Sequence, residues 1–331
     1  MEETIDGCNI IRVPSGRKDL ARATFVSMAG FIVGGFLPGY RLIKSWKPNV
    51  IHVHFAVPTG VLAWLLSIVS GVPYVLTAHL GDIPGGVPAK TDGWFRLVYP
   101  FTPQIWKRAT SVVAVSAYTR KLAQEHYKVP VAVIPNGVPL LDKADLMAMQ
   151  KVHTPTRIIF AGRFQPQKNL LFLIEVLSTL RDIAWTCTFL GDGPQRVAIE
   201  SLIESHKLRN RIKIGGWVPS DEVWENFGRS DILALPSKAE GLPVVGVYAL
   251  SRGLAIVANE IGGLAELVDD RVNGRLCAVD DKSCFENALR WCLEDEQRLM
   301  RLKAASFSKS QQFDIRHVTQ SYEAVLQEAI P

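Results

Sequence analysis

Short apolar runs alternate with stretches of helical periodicity along most of the chain, and this alternation constrains the fold more than any other feature. Two such runs separated by a helix make a parallel βα unit, because parallel strands need a crossover long enough to hold a helix. In the first half the expected strands are 9–13, 50–55, 74–78, 111–115 and 131–134; in the second they are 157–161, 186–190, 212–214, 232–235, 255–258 and a short piece near Leu276. Their β-branched content suits strands buried on both faces. Asn136-Gly137-Val138-Pro139 breaks the pattern, and the polar stretch to Thr156 reads as a connection between domains. At 331 residues and 48% hydrophobic content the chain can fill two cores. The expectation is two α/β domains, 1–145 and 146–331, with the last helices, 282–293 and 318–329, packing back across them. No internal repeat or low-complexity tract is visible.

Residues 1–150 hold 15 Lys and Arg against 9 Asp and Glu, and the remainder 22 against 23, so the net charge of +5 is entirely N-terminal. That excess favours an anionic partner on the first half, a phospholipid surface or a phosphorylated acceptor, with an ordinary basic surface as the plain alternative. Five cysteines without a C-x-x-C pair argue against a disulfide framework and against structural zinc, and for a reducing cytoplasm. The apolar stretch 23–37 is shorter than a membrane span requires and is interrupted by Gly30, Gly34, Gly35 and Pro38. A buried or interfacial helix is expected there, and no signal peptide precedes it.

The loops that follow the strands carry the chemistry. Pro236-Ser237-Lys238-Ala239-Glu240-Gly241-Leu242-Pro243 places one acidic residue at a strand-to-helix turn, the edge at which open α/β sheets bind ligands. Upstream, Gly162-Arg163-Phe164-Gln165-Pro166-Gln167-Lys168-Asn169 sets a guanidinium and an ammonium beside a glycine and a helix start, a combination able to neutralise a diphosphate leaving group. Downstream stands Gly262-Gly263-Leu264-Ala265-Glu266. Gly191-Asp192-Gly193-Pro194 lacks the third glycine of a dinucleotide fingerprint, so it reads as a turn and helix start, and hydride chemistry is poorly supported. Thr77-Ala78-His79-Leu80-Gly81-Asp82 closes a strand with an imidazole and a carboxylate; such a histidine either meets a sugar hydroxyl or is satisfied within its loop. His52-x-His54 resembles a metal pair, but strand alternation is expected to send the two rings to opposite faces. Asp-x-Asp, Gly-x-Ser-x-Gly and the P-loop pattern are all missing from the sequence, which removes the usual signals for a nucleotide-bridging metal, acyl transfer and P-loop chemistry.

The ordered series 162–169, 191–194, 236–241 and 262–266, with His79 to Asp82 and Pro135-Asn136-Gly137 in front of it, resembles the motif series of family 4 retaining glycosyltransferases. The resemblance implies a GT-B fold, two Rossmann-like domains with parallel sheets facing each other across a cleft, the C-terminal one holding a nucleotide-sugar donor. It implies Arg163 and Lys168 on the donor diphosphate and Glu240 on a donor-sugar hydroxyl. Gly262 with Gly263 would hold phosphate at a helix N-terminus, His79 would lie beside the donor sugar, and Trp217 and Val218 near the base. Gly162, Gly191, Gly241, Leu242 and Glu266 complete the expected donor pocket, with His54 and Asp82 on the acceptor side. Tyr248 stands where the family pattern has a second glutamate holding the ribose diol. The family's first strand and its glycine-rich loop have no counterpart, so a missing first N-terminal βα unit is expected.

These features imply a cytoplasmic hexosyltransferase, metal-independent and without a cofactor, that moves a sugar from a nucleotide diphosphate to an acceptor hydroxyl with retention of configuration. The acceptor is expected to be a saccharide or lipid-linked molecule of cell-envelope or exopolysaccharide synthesis. Peripheral contact with the inner membrane face through the basic half is expected, and no nucleic acid partner. The rival readings are a non-catalytic GT-B-like nucleotide-sugar-binding protein and a nucleotide-sugar epimerase.

Overall fold

A computed structural model describes residues 2–5, 7–17, 24–87, 99–141 and 151–331. They fall into two compact units, 1–134 with 321–331, and 135–320. The expected boundary after residue 145 lies outside the described residues.

In the first unit, β1 (Glu2–Ile5) and β2 (Cys8–Ile11) pair antiparallel in a sheet of their own. This corrects the expectation of a parallel strand at 9–13: Ile5 pairs with Cys8, leaving room for only a two-residue turn, and Gly7 supplies the positive φ (80°) that such a turn needs. After α1 (Phe25–Trp46) come β3 (Ile51–His54), α2 (Val61–Ser70), β4 (Tyr74–Ala78), α3 (Thr102–Arg108), β5 (Ser111–Ala114), α4 (Ala117–Tyr127) and β6 (Ala132–Val133). β3 to β6 pair in parallel in chain order, and all five residues of β4 are buried.

α1 is longer than its apolar stretch suggested. Thr24 and Ser27 form a reciprocal capping box at its start, and Lys47 ends it in the left-handed region. The helix runs through all the glycines and through Pro38, because the glycines serve packing. A Cβ on Gly30 or Gly34 would meet the backbone oxygen of Ser15 or Pro14, and one on Gly35 would meet Leu62 of α2. At 22 residues it is long and apolar enough to cross a membrane by length and composition, against the expectation that it would be too short, yet only 17% of its apolar window is buried.

The second unit contains β7 (Thr156–Ala161), α5 (Leu170–Leu177), β8 (Trp185–Leu190), α6 (Arg196–Ser205), β9 (Ile212–Gly216), α7 (Ser220–Gly228), β10 (Ile232–Leu235), α8 (Val244–Ser251), β11 (Ala255–Asn259), α9 (Leu264–Leu267), β12 (Gly274–Cys277), α10 (Lys282–Leu293), α11 (Glu296–Ser310) and α12 (Ile315–Glu328). The last helix begins in this unit, and its residues from Ser321 onward belong to the first. The sheet is fully parallel in the order β12-β11-β10-β7-β8-β9. All residues of β10 and β11 are buried, which explains their unbroken apolar runs. Beneath β10 sits one buried ionic group: Asp231 accepts from Lys303 Nζ (2.8 Å) and from the Arg157 N–H (2.9 Å), and its Oδ1 lies 3.0 Å from His153 Nδ1. Several bonds on one carboxylate make its burial tolerable.

Candidate active site

Starting from β7, the chain builds outward to β9, then returns to the other side of β7 and builds outward again from β10 to β12. Right-handed crossovers put the two sets of helices on opposite faces, so the loops after β7 and β10 diverge at a topological switch point. Those two loops carry Gly162–Asn169 and Pro236–Pro243.

Four loops are joined there by close backbone contact. Gly162 donates its N–H to Leu190 O (2.9 Å), and Gly191 crosses beneath it at φ 136°; a Cβ on Gly191 would lie 2.0 Å from Gly162 O, so only glycine lets the two turns cross. Phe164, fully buried, donates its N–H to Asp192 O (2.9 Å) and accepts from the Gln195 N–H (3.1 Å), fixing the loop while Arg163 beside it stays exposed. Gln167 pairs with the loop after β10 in both directions, Nε2 to Ala239 O (2.7 Å) and its own carbonyl to the Lys238 N–H (2.8 Å). Gly263 donates to Glu240 O (3.1 Å), and its missing Cβ would stand 1.6 Å from Gly241 O.

Inside this frame Lys168, at the end of the 3-10 turn Pro166–Lys168, is ion-paired with Glu240, whose side chain is 8% exposed. Gly241 and Leu242 follow, and Leu242 O accepts from Asn136 Nδ2 (2.7 Å), so the Pro135-Asn136-Gly137 motif works within this unit. Gly262, at φ 48°, leads into the single turn of α9, which holds the half-buried Glu266. The Gly191 N–H donates to Gly216 O (2.7 Å), which sets exposed Trp217 and half-buried Val218 directly after the Gly191 turn's partner. Tyr248 lies on α8, its ring edge-on to Trp224 of α7 at 4.0 Å, with the Arg252 guanidinium over the far ring at 4.4 Å.

Three residues outside the expected set support this frame. Asn259, at the end of β11, donates Nδ2 to Pro236 O (2.8 Å) and Ser237 O (3.0 Å). Asp280 accepts from Asn169 Nδ2 (2.9 Å) and Lys238 Nζ (2.7 Å), and the Lys238 ammonium holds its carboxyl below the usual range. Ser237 Oγ and Asn259 Oδ1 are buried without a hydrogen-bond partner among the described residues, an arrangement native proteins rarely leave unused. The signal for Asn259 was available in the sequence as one amide closing an apolar strand; Asp280 gave none, because its partners Asn169 and Lys238 lie 111 and 42 residues away.

Of the residues expected in the first unit, His54 and His79 meet each other. His54 Nδ1 lies 3.3 Å from His79 Nε2, and the His79 ring stacks on Phe55 at 4.2 Å. The His52 and His54 rings are 4.6 Å apart, which corrects the expectation of opposite faces: residues two apart on a strand share a face. His52 Nε2 is 2.9 Å from Thr77 Oγ1, which donates to the Tyr322 hydroxyl (3.2 Å). Burial, with the neighbouring His54, lowers His52 and His79 to about 4, and burial also lowers His54, so the cluster is neutral at pH 7. The Asp82 side chain lies outside the described residues. Among the described residues no group of three or more His, Cys, Asp or Glu could hold a metal ion.

Residues 143–309 match the model for Glycosyl transferases group 1, and residues 23–140 match that for Glycosyltransferase Family 4. The chain is 27% identical over 274 residues to the UDP-Gal:alpha-D-GlcNAc-diphosphoundecaprenol alpha-1,3-galactosyltransferase of Escherichia coli, covering 78% of this chain and 69% of that one. Sucrose-phosphate synthase from Thermosynechococcus elongatus superposes with a TM-score of 0.83 at 20% identity, over 98% of this chain and 84% of that one. HepE of Anabaena, solved in complex with UDP-glucose, gives 0.75 at 21% identity over 89% and 82%. The chain spans 56% of the length of one curated relative and 72% of another. With a group 1 match over half of its length, parallel-sheet α/β units and these structural neighbours, the chain belongs to the Glycosyl transferases group 1 family and has the two-domain, Rossmann-like GT-B fold.

Proposed function

We propose that this glycosyltransferase moves a hexose from a nucleotide-diphosphate-sugar to an acceptor hydroxyl with retention of configuration and without a metal ion. The observation that carries the reading is the Lys168–Glu240 ion pair set between glycine-crossed loops at the sheet's switch point. Lys168 and Arg163 would meet the donor diphosphate and stabilise the charge that grows on it as the glycosidic bond breaks. Glu240 would accept from a donor-sugar hydroxyl, and the Gly262-Gly263 turn would approach the phosphates by its backbone. In a front-face step the departing phosphate oxygen takes the proton of the incoming acceptor hydroxyl, so no separate protein base is required. His79, neutral at pH 7, suits a hydrogen bond to a sugar hydroxyl. The UDP-glucose complex of the Anabaena neighbour supports the donor class, and the undecaprenol-linked substrate in the Escherichia coli relative's name supports an acceptor in cell-envelope synthesis. The basic N-terminal half supports a cytoplasmic protein in peripheral contact with an anionic membrane face.

The test is calorimetric titration of UDP and GDP followed by turnover with the matching nucleotide sugars in the presence of EDTA. Binding of one nucleotide, EDTA-resistant turnover and a loss on the order of 10² in rate in Arg163→Ala are expected. Binding without turnover would leave a non-catalytic nucleotide-sugar-binding protein, and loss on chelation restored by Mn²⁺ would overturn the metal-free step.

A further inference from the structure

The outer face of α1 is apolar where a surface helix is ordinarily polar. Val26, Val33 and Leu37 are 77%, 76% and 51% exposed, and their spacing of seven and four residues sets them on one stripe. Arg41 and Lys44 continue that stripe, both exposed, and the helix contains no Asp or Glu. The opposite side is held against the protein, by Gly35 on Leu62 and Gly39 on Leu66 of α2, and the Ser15 backbone crosses the stripe at Gly30, four residues after Val26. The exposed side chains of Val26, Val33 and Leu37 stand on either side of that crossing, on a helix held along its length rather than end-on.

A second observation lies beside the stripe. A cavity of about 210 Å³ in the first unit is lined by Phe25, Met28, Ala29 and Ile32 of α1 and by residues of 57–61 and 101–105. Its one hydroxyl, Thr102 Oγ1, is occupied by Tyr99 O (2.8 Å). Phe25 and Phe101 at its rim are 56% and 73% exposed, so an apolar chain would find apolar walls and an apolar entrance.

We infer that the first unit carries a lipid-binding face: the α1 stripe lies in the surface of an anionic bilayer, Arg41 and Lys44 meet lipid phosphates, and the adjoining cavity takes one hydrocarbon chain. The occupant is indicated by charge complementarity, since cations extend an apolar stripe that lacks acidic residues, on the half of the chain that holds all the excess positive charge. The inference deepens the proposed membrane-side acceptor and rests on that reading for its biological purpose, though not for the binding itself.

Sedimentation of the full chain with vesicles of phosphatidylglycerol and phosphatidylcholine, against phosphatidylcholine alone, tests the stripe. Binding to the anionic vesicles alone is expected, weakened on the order of tenfold or more in Val33→Asp/Leu37→Asp and in Arg41→Glu/Lys44→Glu. Saturable uptake of laurate below its micellar concentration, lost in Ala29→Trp with vesicle binding retained, tests the cavity. Unchanged UDP affinity in each variant verifies the fold. Equal binding to both vesicle types, vesicle binding unaffected by both double substitutions, or a stripe buried in a stable dimer without vesicles would overturn the inference. Vesicle binding together with exclusive use of water-soluble acceptors would sink the acceptor reading and leave this face standing.

Discussion

Lys168→Ala separates what the Lys168–Glu240 pair does for the fold from what it does for the reaction. The Lys168 side chain is 19% exposed and that of Glu240 8% exposed, so removing the ammonium leaves a carboxylate largely enclosed by the loop after β10. Breaking a fully buried pair costs about 3–5 kcal/mol, and the residual exposure of Lys168 brings the expected cost to about 2–4 kcal/mol. At about 1.4 kcal/mol per factor of ten, amide exchange of β7 and β10 should quicken roughly 30- to 700-fold wherever it proceeds by opening of the second unit. Adding Glu240→Gln removes the stranded charge while keeping the shape, so the double variant should regain about 1–2 kcal/mol over Lys168→Ala, which is the non-additivity expected of direct partners. Turnover should behave oppositely: the double variant, lacking both charges, should be no faster than Lys168→Ala. Exchange measured by mass spectrometry on the three variants, beside turnover with nucleotide sugar, provides both readouts. Exchange within about threefold of wild type in Lys168→Ala would refute the ion pair as a structural contact. A double variant no better protected than the single one would refute the direct coupling.

Tyr248→Phe should leave stability nearly unchanged, because the contact with Trp224 is made by the ring, whereas Tyr248→Glu should cost about 1–2 kcal/mol by losing the edge-to-face pair and its buried area. Tighter nucleotide binding by the Glu variant in a UDP and GDP titration would show that this position faces the ribose after all. For the histidine cluster, folded-state values of about 4 for His52 and His79 lie below the ordinary 6.5, so the unfolded chain binds more protons between those pH values. The stabilisation is therefore complete above pH 6.5 and is lost as pH falls toward 4. A proton NMR titration should show two imidazoles titrating near 4, and all seven histidines titrating near 6.5 would contradict the packing of His52, His54, His79 and Tyr322.

The strands of both sheets were legible because a parallel sheet buried on both faces demands continuous apolar runs, and β4, β10 and β11 meet that demand over every residue. The loop chemistry was legible for a related reason: each glycine and charged residue of Gly162–Asn169 and Pro236–Pro243 follows directly on a strand, so sequence position alone assigns it to the carboxyl edge. The hairpin of β1 and β2 was not, since a four-residue strand carries no mark of its partner or direction. Nor was the length of α1, because a glycine that breaks helical propensity in isolation is retained where only a hydrogen atom fits against Ser15, Pro14 or Leu62. Pairings over long sequence separation belonged wholly to the tertiary structure: Lys168 with Glu240, Asp280 with Asn169 and Lys238, and Thr77 with Tyr322. The order of residues along the chain sets which residue types stand at which sheet edge. Which of them touch was decided by strand order, because the sheet places β10 beside β7 after the chain has gone out to β9 and returned.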